Sequence, residues 1–244
     1  MVAPPPPSSP ALTLTYYGHC AFLWQSPQGV RVLSDPYRNR HDRYWFTRQF
    51  PAVDSDLALI THAHFDHDAA PTLPEATSVL RLPGELRYRD VSIRGILDEH
   101  SNIWRMPNVM FRLDIAGIRF LHIGDNRVAW PKEVRQAVGE IDVLMITVDD
   151  SCHLLSYQEV EALITTVQPR VVVPMHYLIP ELMTAASTLL PPDGWLATRS
   201  AVRRLGRHSV TLASQALPSA LEVWVFEPSP ESFAAPLVAA PVIT

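Results

Sequence analysis

Three histidines and two aspartates crowd into one short stretch, Thr61-His62-Ala63-His64-Phe65-Asp66-His67-Asp68, directly after an apolar run at 57–60. Neutral imidazole and carboxylate are donors that zinc, manganese and iron all accept. His62 and His64, two residues apart, can point the same way and grip one cation. Asp66 and His67 follow after a turn and can reach a second cation beside it. Two divalent cations about 4 Å apart can share a hydroxide acidified enough to attack near neutral pH. Residue types and order therefore point to a two-metal hydrolase, against the plainer reading of a histidine-rich surface loop.

Such a cluster needs a scaffold that holds it still. The apolar run 57–60 reads as a short strand covered on both faces, so the histidines occupy the loop leaving a buried strand. Segments 12–17, 21–24 and 30–34 also read as strands, the latter two joined by the turn signal Ser26-Pro27-Gln28-Gly29. Segments 110–115 and 118–123 predict a hairpin around Ala116-Gly117, and 143–148 and 170–173 predict further buried strands. Three helices are expected. The first, 131–138, has a proline in its first turn and Gly139 at its end. The second follows Ser156, which stands at capping-box distance from Glu159, and carries the stripe Val160, Leu163, Ile164 and Val167 before Gln168-Pro169. The third is 179–190. Strands with helices interspersed and no strict alternation argue for an α/β sandwich.

With 244 residues, 47% hydrophobic and 18% charged, the chain can bury one sizeable core. A formal net charge of -5 and no run of Lys and Arg give no footprint for a nucleic-acid partner. Cys20 and Cys152 are too few and too far apart for a disulfide framework or a thiolate zinc site. Two largely buried free thiols suit a reducing cytoplasm, which is the expected location. No apolar run is long enough to span a bilayer, so no membrane association is expected. Residues 1–11, rich in proline, are expected to form a disordered tail, and 228–244 an irregular one. That leaves 12–227 as a single catalytic domain.

The order His62-Ala63-His64-Phe65-Asp66-His67 resembles the His-x-His-x-Asp-His signature of the metallo-β-lactamase superfamily. The likeness extends over residues 12–180. Tyr17-Gly18-His19-Cys20-Ala21 and Leu33-Ser34-Asp35-Pro36 resemble the opening of the branch containing L-ascorbate-6-phosphate lactonase. Glu99-His100-Ser101 resembles that branch's next metal histidine, Ile123-Gly124-Asp125-Asn126 its Gly-Asp-Thr motif, and Val173-Pro174-Met175-His176-Tyr177 its closing strand. The resemblance implies an αββα sandwich with the site at one edge. It implies that His62, His64 and His100 hold one metal, that Asp66, His67 and His176 hold the other, and that Asp125 bridges them. Two divalent ions, zinc first and manganese or iron as alternatives, would then serve hydrolysis, with Asp66 also taking up a proton. Asn126 departs from the threonine usual in the family. Asp35 would accept a hydrogen bond from a ligand histidine and fix its tautomer, besides shaping a proline-containing turn.

The remaining candidates carry weaker signals. His19 reads first as a satisfied core histidine and second as a neighbour of the metal pocket. His122 lies within a strand and is expected to face the core or the surroundings of the ligands. His153, in the loop with Asp149 and Asp150, is a candidate substrate contact. Residues 37–48 mix Arg38, Arg40, Arg43 and Arg48 with Tyr37, Tyr44, Trp45 and Phe46. They suit a wall for an anionic or aromatic small molecule, a flap, a contact in a homo-oligomer, or plain core packing. The leading substrate class is a small ester, lactone, amide or phosphoester. A metal-dependent nuclease, di-iron redox chemistry and a non-catalytic metal-binding protein are the competitors. His64 stands where the di-iron oxidoreductases commonly carry glutamate.

Overall fold

The computed structural model describes residues 10–101 and 105–239. Most of the expected N-terminal tail, and residues 240–244 of the C-terminal one, lie outside the described residues. Strands β1 (Leu12–Gly18), β2 (Ala21–Gln25) and β3 (Arg31–Ser34) form an antiparallel meander. Strands β4 (Leu57–Leu59) and β5 (Ser78–Leu80) extend it in parallel. The chain then crosses to a second sheet and lays down β6 (Gly84–Tyr88), β7 (Val91–Glu99), β8 (Pro107–Ile115) and β9 (Ile118–His122), again antiparallel. Helix α1 (Lys132–Val138) leads to β10 (Val143–Thr147), and α2 (Tyr157–Val167) leads to β11 (Val171–Met175), both parallel to β9. After α3 (Asp193–Leu196) and β12 (Val202–Arg204), β13 (Ser209–Leu212) returns to the first sheet beside β1. Strand β14 (Glu222–Val225) enters between β11 and β12, and α4 (Pro230–Ala234) lies against β1. The orders are β13-β1-β2-β3-β4-β5 and β12-β14-β11-β10-β9-β8-β7-β6.

The two mixed sheets face each other across the core. Trp24 of β2 meets Phe120 of β9 edge to face at 6.0 Å, and Phe22 meets His122 at 6.1 Å. In β1 Leu12, Leu14 and Tyr16 are buried while Thr13 and Thr15 are half-buried, the alternation of a strand with one face inside. Strands β10 and β11 are buried at every position, with α2 against β10 and α1 against β7. The spacing Ser156 to Glu159 forms the expected capping box, and Gln168 ends the helix in the left-handed region. Ala116 (φ 52°) and Gly117 (φ 74°) both take left-handed backbone, as a two-residue hairpin turn requires.

Two local expectations fail. Residues 179–190 form no helix, because their backbone groups pair with the loop at 44–47: Thr47 N donates to Leu182 O and Thr184 N to Trp45 O. Residues 228–239 are not simply irregular. Ser229 caps α4 and donates its N–H to Tyr16 O, and Ser232 Oγ donates to Tyr17 O, so the segment is fastened to β1. Among the described residues no helix is long and apolar enough to cross a membrane.

The strand directions decide where a site can form. Strands β1, β3 and β4 run the same way in the first sheet, as do β7, β9, β10 and β11 in the second. Their C-terminal ends gather at one edge of the sandwich, where open sheets of this kind present ligands. At the opposite edge Asp142 pins the starts of β9, β10 and β11. Its carboxylate accepts from Arg119 N, Nε and Nη2 at 2.8–2.9 Å, and its carbonyl from Arg170 N and Val171 N. Burial alone would raise the Asp142 carboxyl, but the Arg119 hydrogen bonds and charge outweigh it and hold the group below its ordinary value. A carboxyl depressed in the fold contributes stability above its unfolded pKa and loses it as pH falls through the folded value. Asp142→Asn should therefore lower stability by about 1–3 kcal/mol at pH 7. The gap to wild type should close below about pH 4, as read from denaturant midpoints across a pH series.

Candidate metal centre

The histidines and aspartates of the site follow the C-terminal ends of those co-directed strands. His19 follows β1, Asp35 follows β3, and His62, His64, Asp66 and His67 follow β4. His100 follows β7, Asp125 follows β9, His153 sits in the loop after β10, and His176 follows β11. His19 (φ 55°), Asp35 (φ 37°) and His176 (φ 59°) hold left-handed backbone that non-glycine residues avoid. Gly124 has no room for any side chain, since a Cβ there would stand 2.6 Å from Thr61 Oγ1 and 2.7 Å from Asn108 Oδ1. This close approach lets β9 carry Asp125 up against the loop of His62.

The donors fall into two adjoining groups whose ligand atoms lie within 4.8 Å of one another: His62, His64, His100 and Asp125, and His19, Asp66, His67 and His176. In the first, His62 Nε2 is 3.0 Å from His64 Nδ1 and 3.5 Å from Asp125 Oδ2, and His100 Nε2 is 3.3 Å from the same oxygen. In the second, Asp66 Oδ2 lies 3.2 Å from His19 Nε2, 3.5 Å from His176 Nε2 and 3.6 Å from His67 Nε2. Asp125 spans both, its Oδ1 3.2 Å from His67 Nε2 and its Oδ2 3.6 Å from His176 Nε2. Metal bonds of 2.0–2.1 Å in a tetrahedron separate neighbouring donors by about 3.3 Å, which is the spacing found. His67 Nε2, His176 Nε2 and Asp125 Oδ1 are buried and find no hydrogen-bond partner among the described residues. Both groups therefore fit a divalent cation.

Hydrogen bonds behind the donors set the imidazole tautomers. Asp35 is wholly buried and accepts from Thr61 N at 2.8 Å, Thr61 Oγ1 at 2.7 Å and His67 Nδ1 at 2.8 Å. His67 thus donates from Nδ1, and in its neutral form turns a lone pair on Nε2 toward Asp66 and Asp125. Because Thr61 Oγ1 donates to Asp35, it is free to accept from His62 Nδ1 at 3.0 Å, which leaves His62 Nε2 bare. Burial alone would lower the His67 pKa, but the Asp125, Asp66 and Asp35 carboxylates raise it well above the usual histidine range. Burial would likewise raise Asp66 and Asp125, yet the surrounding rings hold both well below the ordinary carboxylate value.

Asn126 ties two strand ends together. Its Nδ2 donates to Asp98 Oδ2 at 2.9 Å, and its Oδ1 accepts from Asn108 Nδ2 at 3.0 Å. Arg127 holds Asp98 and Glu99 from the same loop. Thr61, Asn108, Asp98 and Arg127 went unread in the sequence. Only Thr61, a polar residue closing a buried run beside His62, offered a local signal. His122 stands outside both groups: Gly124 N donates to its Nδ1, so its Nε2–H donates to Cys20 O at 2.9 Å. Cys20 is buried as expected, with a donor position near His67 and Asp125, whereas Cys152 is exposed rather than buried.

A cleft of about 600 Å³ opens over the site, floored by His64, Asp66, His100 and Asp125. Arg40, Arg43, Trp45 and His153 contribute to its wall. The segment 37–48 divides its labour. Tyr37 and Phe46 stack at 4.1 Å in the core, Trp45 packs edge-on against Phe65 and His153, and Arg40 and Arg43 remain exposed at the cleft.

Comparison with known proteins agrees with this geometry. Residues 13–176 match the family model described as beta-lactamase superfamily domain. A UPF0173 protein of Pyrococcus abyssi is 25% identical over 201 residues, covering 68% of this chain and 83% of the relative. A UPF0173 metal-dependent hydrolase of Polynucleobacter asymbioticus is 24% identical over 210 residues, covering 67% and 73%. A solved Thermotoga maritima structure, named for Zn-dependent hydrolases of the metallo-β-lactamase superfamily, superposes with TM-score 0.67 at 25% identity, covering 88% of this chain and 98% of its own.

Asp35 touches no cation position itself, yet it orients two rings. Asp35→Asn should weaken metal binding about 10–100-fold, measured by competition with a chromogenic chelator.

Proposed function

The chain belongs to the beta-lactamase superfamily domain family, and on that premise we propose that it is a metal-dependent hydrolase of small anionic molecules. His62, His64 and His100 would hold one divalent cation, Asp66, His67 and His176 the other, and Asp125 would touch both. The observation that carries this reading is the pair of buried donor groups sharing Asp125 beneath an open cleft. Bound there, two divalent cations supply Lewis acidity and acidify water for attack near neutral pH. Zinc suits the nitrogen-rich donor set and is the cation in the Thermotoga neighbour's name.

The chain's own groups do the rest. Asp66 reaches the cleft floor as an ionised carboxylate and is placed to take a proton from water or pass one to a leaving group. Trp45 and His153 wall one side and shield the substrate from solvent. Arg40 is paired with Asp42 at 2.8–2.9 Å, whereas Arg43 has no carboxylate partner among the described residues, so its charge is available to an anionic substrate. A cleft of about 600 Å³ suits a small molecule. The likeness to the L-ascorbate-6-phosphate lactonase branch favours a phosphorylated lactone or ester. Two free cysteines and a net charge of -5 are in keeping with a cytoplasmic enzyme that binds neither membrane nor nucleic acid.

Protein purified without added metal should carry about two equivalents of zinc, and Asp125→Ala fewer, by elemental analysis. A panel of phosphorylated and carboxylated esters and lactones should include substrates whose hydrolysis is lost on chelation. Arg43→Ala should raise KM for those substrates with little change in kcat. Two equivalents of iron would turn the reading toward redox chemistry, and a chain that takes up no metal at all would sink it.

A further inference from the structure

His19 stands apart from the ordinary buried histidine it resembled in the sequence. A satisfied core histidine spends both nitrogens on protein partners, as His122 does with Gly124 N and Cys20 O. His19 is wholly buried, its Nδ1 finds no partner among the described residues, and its Nε2 faces only Asp66 Oδ2 at 3.2 Å. That oxygen is shared. His176 Nε2 and His67 Nε2 approach it at 3.5 and 3.6 Å, so three imidazole nitrogens surround one carboxylate oxygen at nearly equal range. The His19 ring lies 4.2 Å from that of His176 and 5.3 Å from that of His67.

The backbone that delivers His19 is held independently of its side chain. Tyr16 Oη and His176 N both donate to His19 O at 3.1 Å, while Gly18 (φ 97°) and His19 (φ 55°) turn the chain through left-handed conformations. Strain of this kind is found where a side chain must be presented in one direction.

We propose that His19 is a further protein ligand of the second cation, a fifth beside Asp66, His67, His176 and the shared Asp125, and brings its imidazoles to three. The first group, His62, His64, His100 and Asp125, also has three imidazoles, so each site would have three rings and share Asp125, with Asp66 an extra carboxylate on the second. This inference rests on the two-cation reading above.

Cobalt(II) tests it. A histidine bound through one nitrogen keeps a proton on the other, and cobalt shifts that proton far outside the ordinary NMR range. Protein loaded with two equivalents of Co²⁺ should show such exchangeable resonances from three rings in each group, one of them assigned to His19. His19→Asn, which tolerates left-handed backbone, and His19→Gln should each lose that resonance. Both should also release the second equivalent to a chelator about tenfold or more readily, with the first unchanged. Matching thermal midpoints of the metal-free proteins would show that the variants fold, and the wild-type spectrum decides the matter even where they do not. A wild-type spectrum with two cobalt ions but no shifted His19 resonance would overturn ligation, leaving His19 as a positioning residue on Asp66 if the second affinity still falls. Uptake of fewer than two cobalt ions by wild type would instead overturn the two-cation reading itself.

Discussion

Asp35, Asp66 and Asp125 are buried within one knot of imidazole rings, and buried carboxylates persist only where hydrogen bonds or opposite charge compensate them. Asp35 is answered by Thr61 and His67. Asp66 and Asp125 are faced almost entirely by ring nitrogens, which compensate an anion only when something positive stands between. The nearby carboxylates raise the His67 and His176 pKa values against the effect of burial, which records that demand. Two divalent cations would meet the same demand without leaving lone pairs opposed. The centre is thus built to take up positive charge, and the hydrogen bonds of Asp35 and Thr61 turn the His67 and His62 rings toward it.

Holding that much unfavourable polarity in one place depends on the sheets. The strands that deliver donors run in one direction, so their ends meet at one edge whatever their order in sequence. The opposite edge is closed by Asp142 with Arg119, and the hydrogen bonds of Asn126 and Arg127 keep the ends of β7 and β9 together. Gly124 permits a close approach between the two sheets' loops. Left-handed backbone at His19, Asp35 and His176 is the local strain that a rigid sandwich can sustain.

Much of this was legible in the sequence because it is local. The order of His62, His64, Asp66 and His67 needs no partner to be read, the capping box at Ser156 and Glu159 is a three-residue signal, and the turn at Ala116-Gly117 announces itself. Long-range dependence hid the rest. The spacing of Ile179, Leu182 and Met183 suits a helix, yet pairing with residues 44–47 claims that backbone. Ser229 and Ser232 look like loop residues until β1 is there to receive them. Asp98 and Arg127 carry no chemistry in isolation and matter only because β7 and β9 end side by side. His19 read first as a core histidine and only second as a neighbour of the metal pocket, because nothing in Gly18-His19-Cys20 reveals that Asp66 lies against it.

The most direct test is anomalous diffraction at the zinc edge from crystals of protein purified without added metal. Two peaks about 4 Å apart are expected, one among His62, His64, His100 and Asp125, the other among Asp66, His67 and His176. A single peak, or occupancy elsewhere on the chain with both donor groups empty, would contradict the two-cation reading.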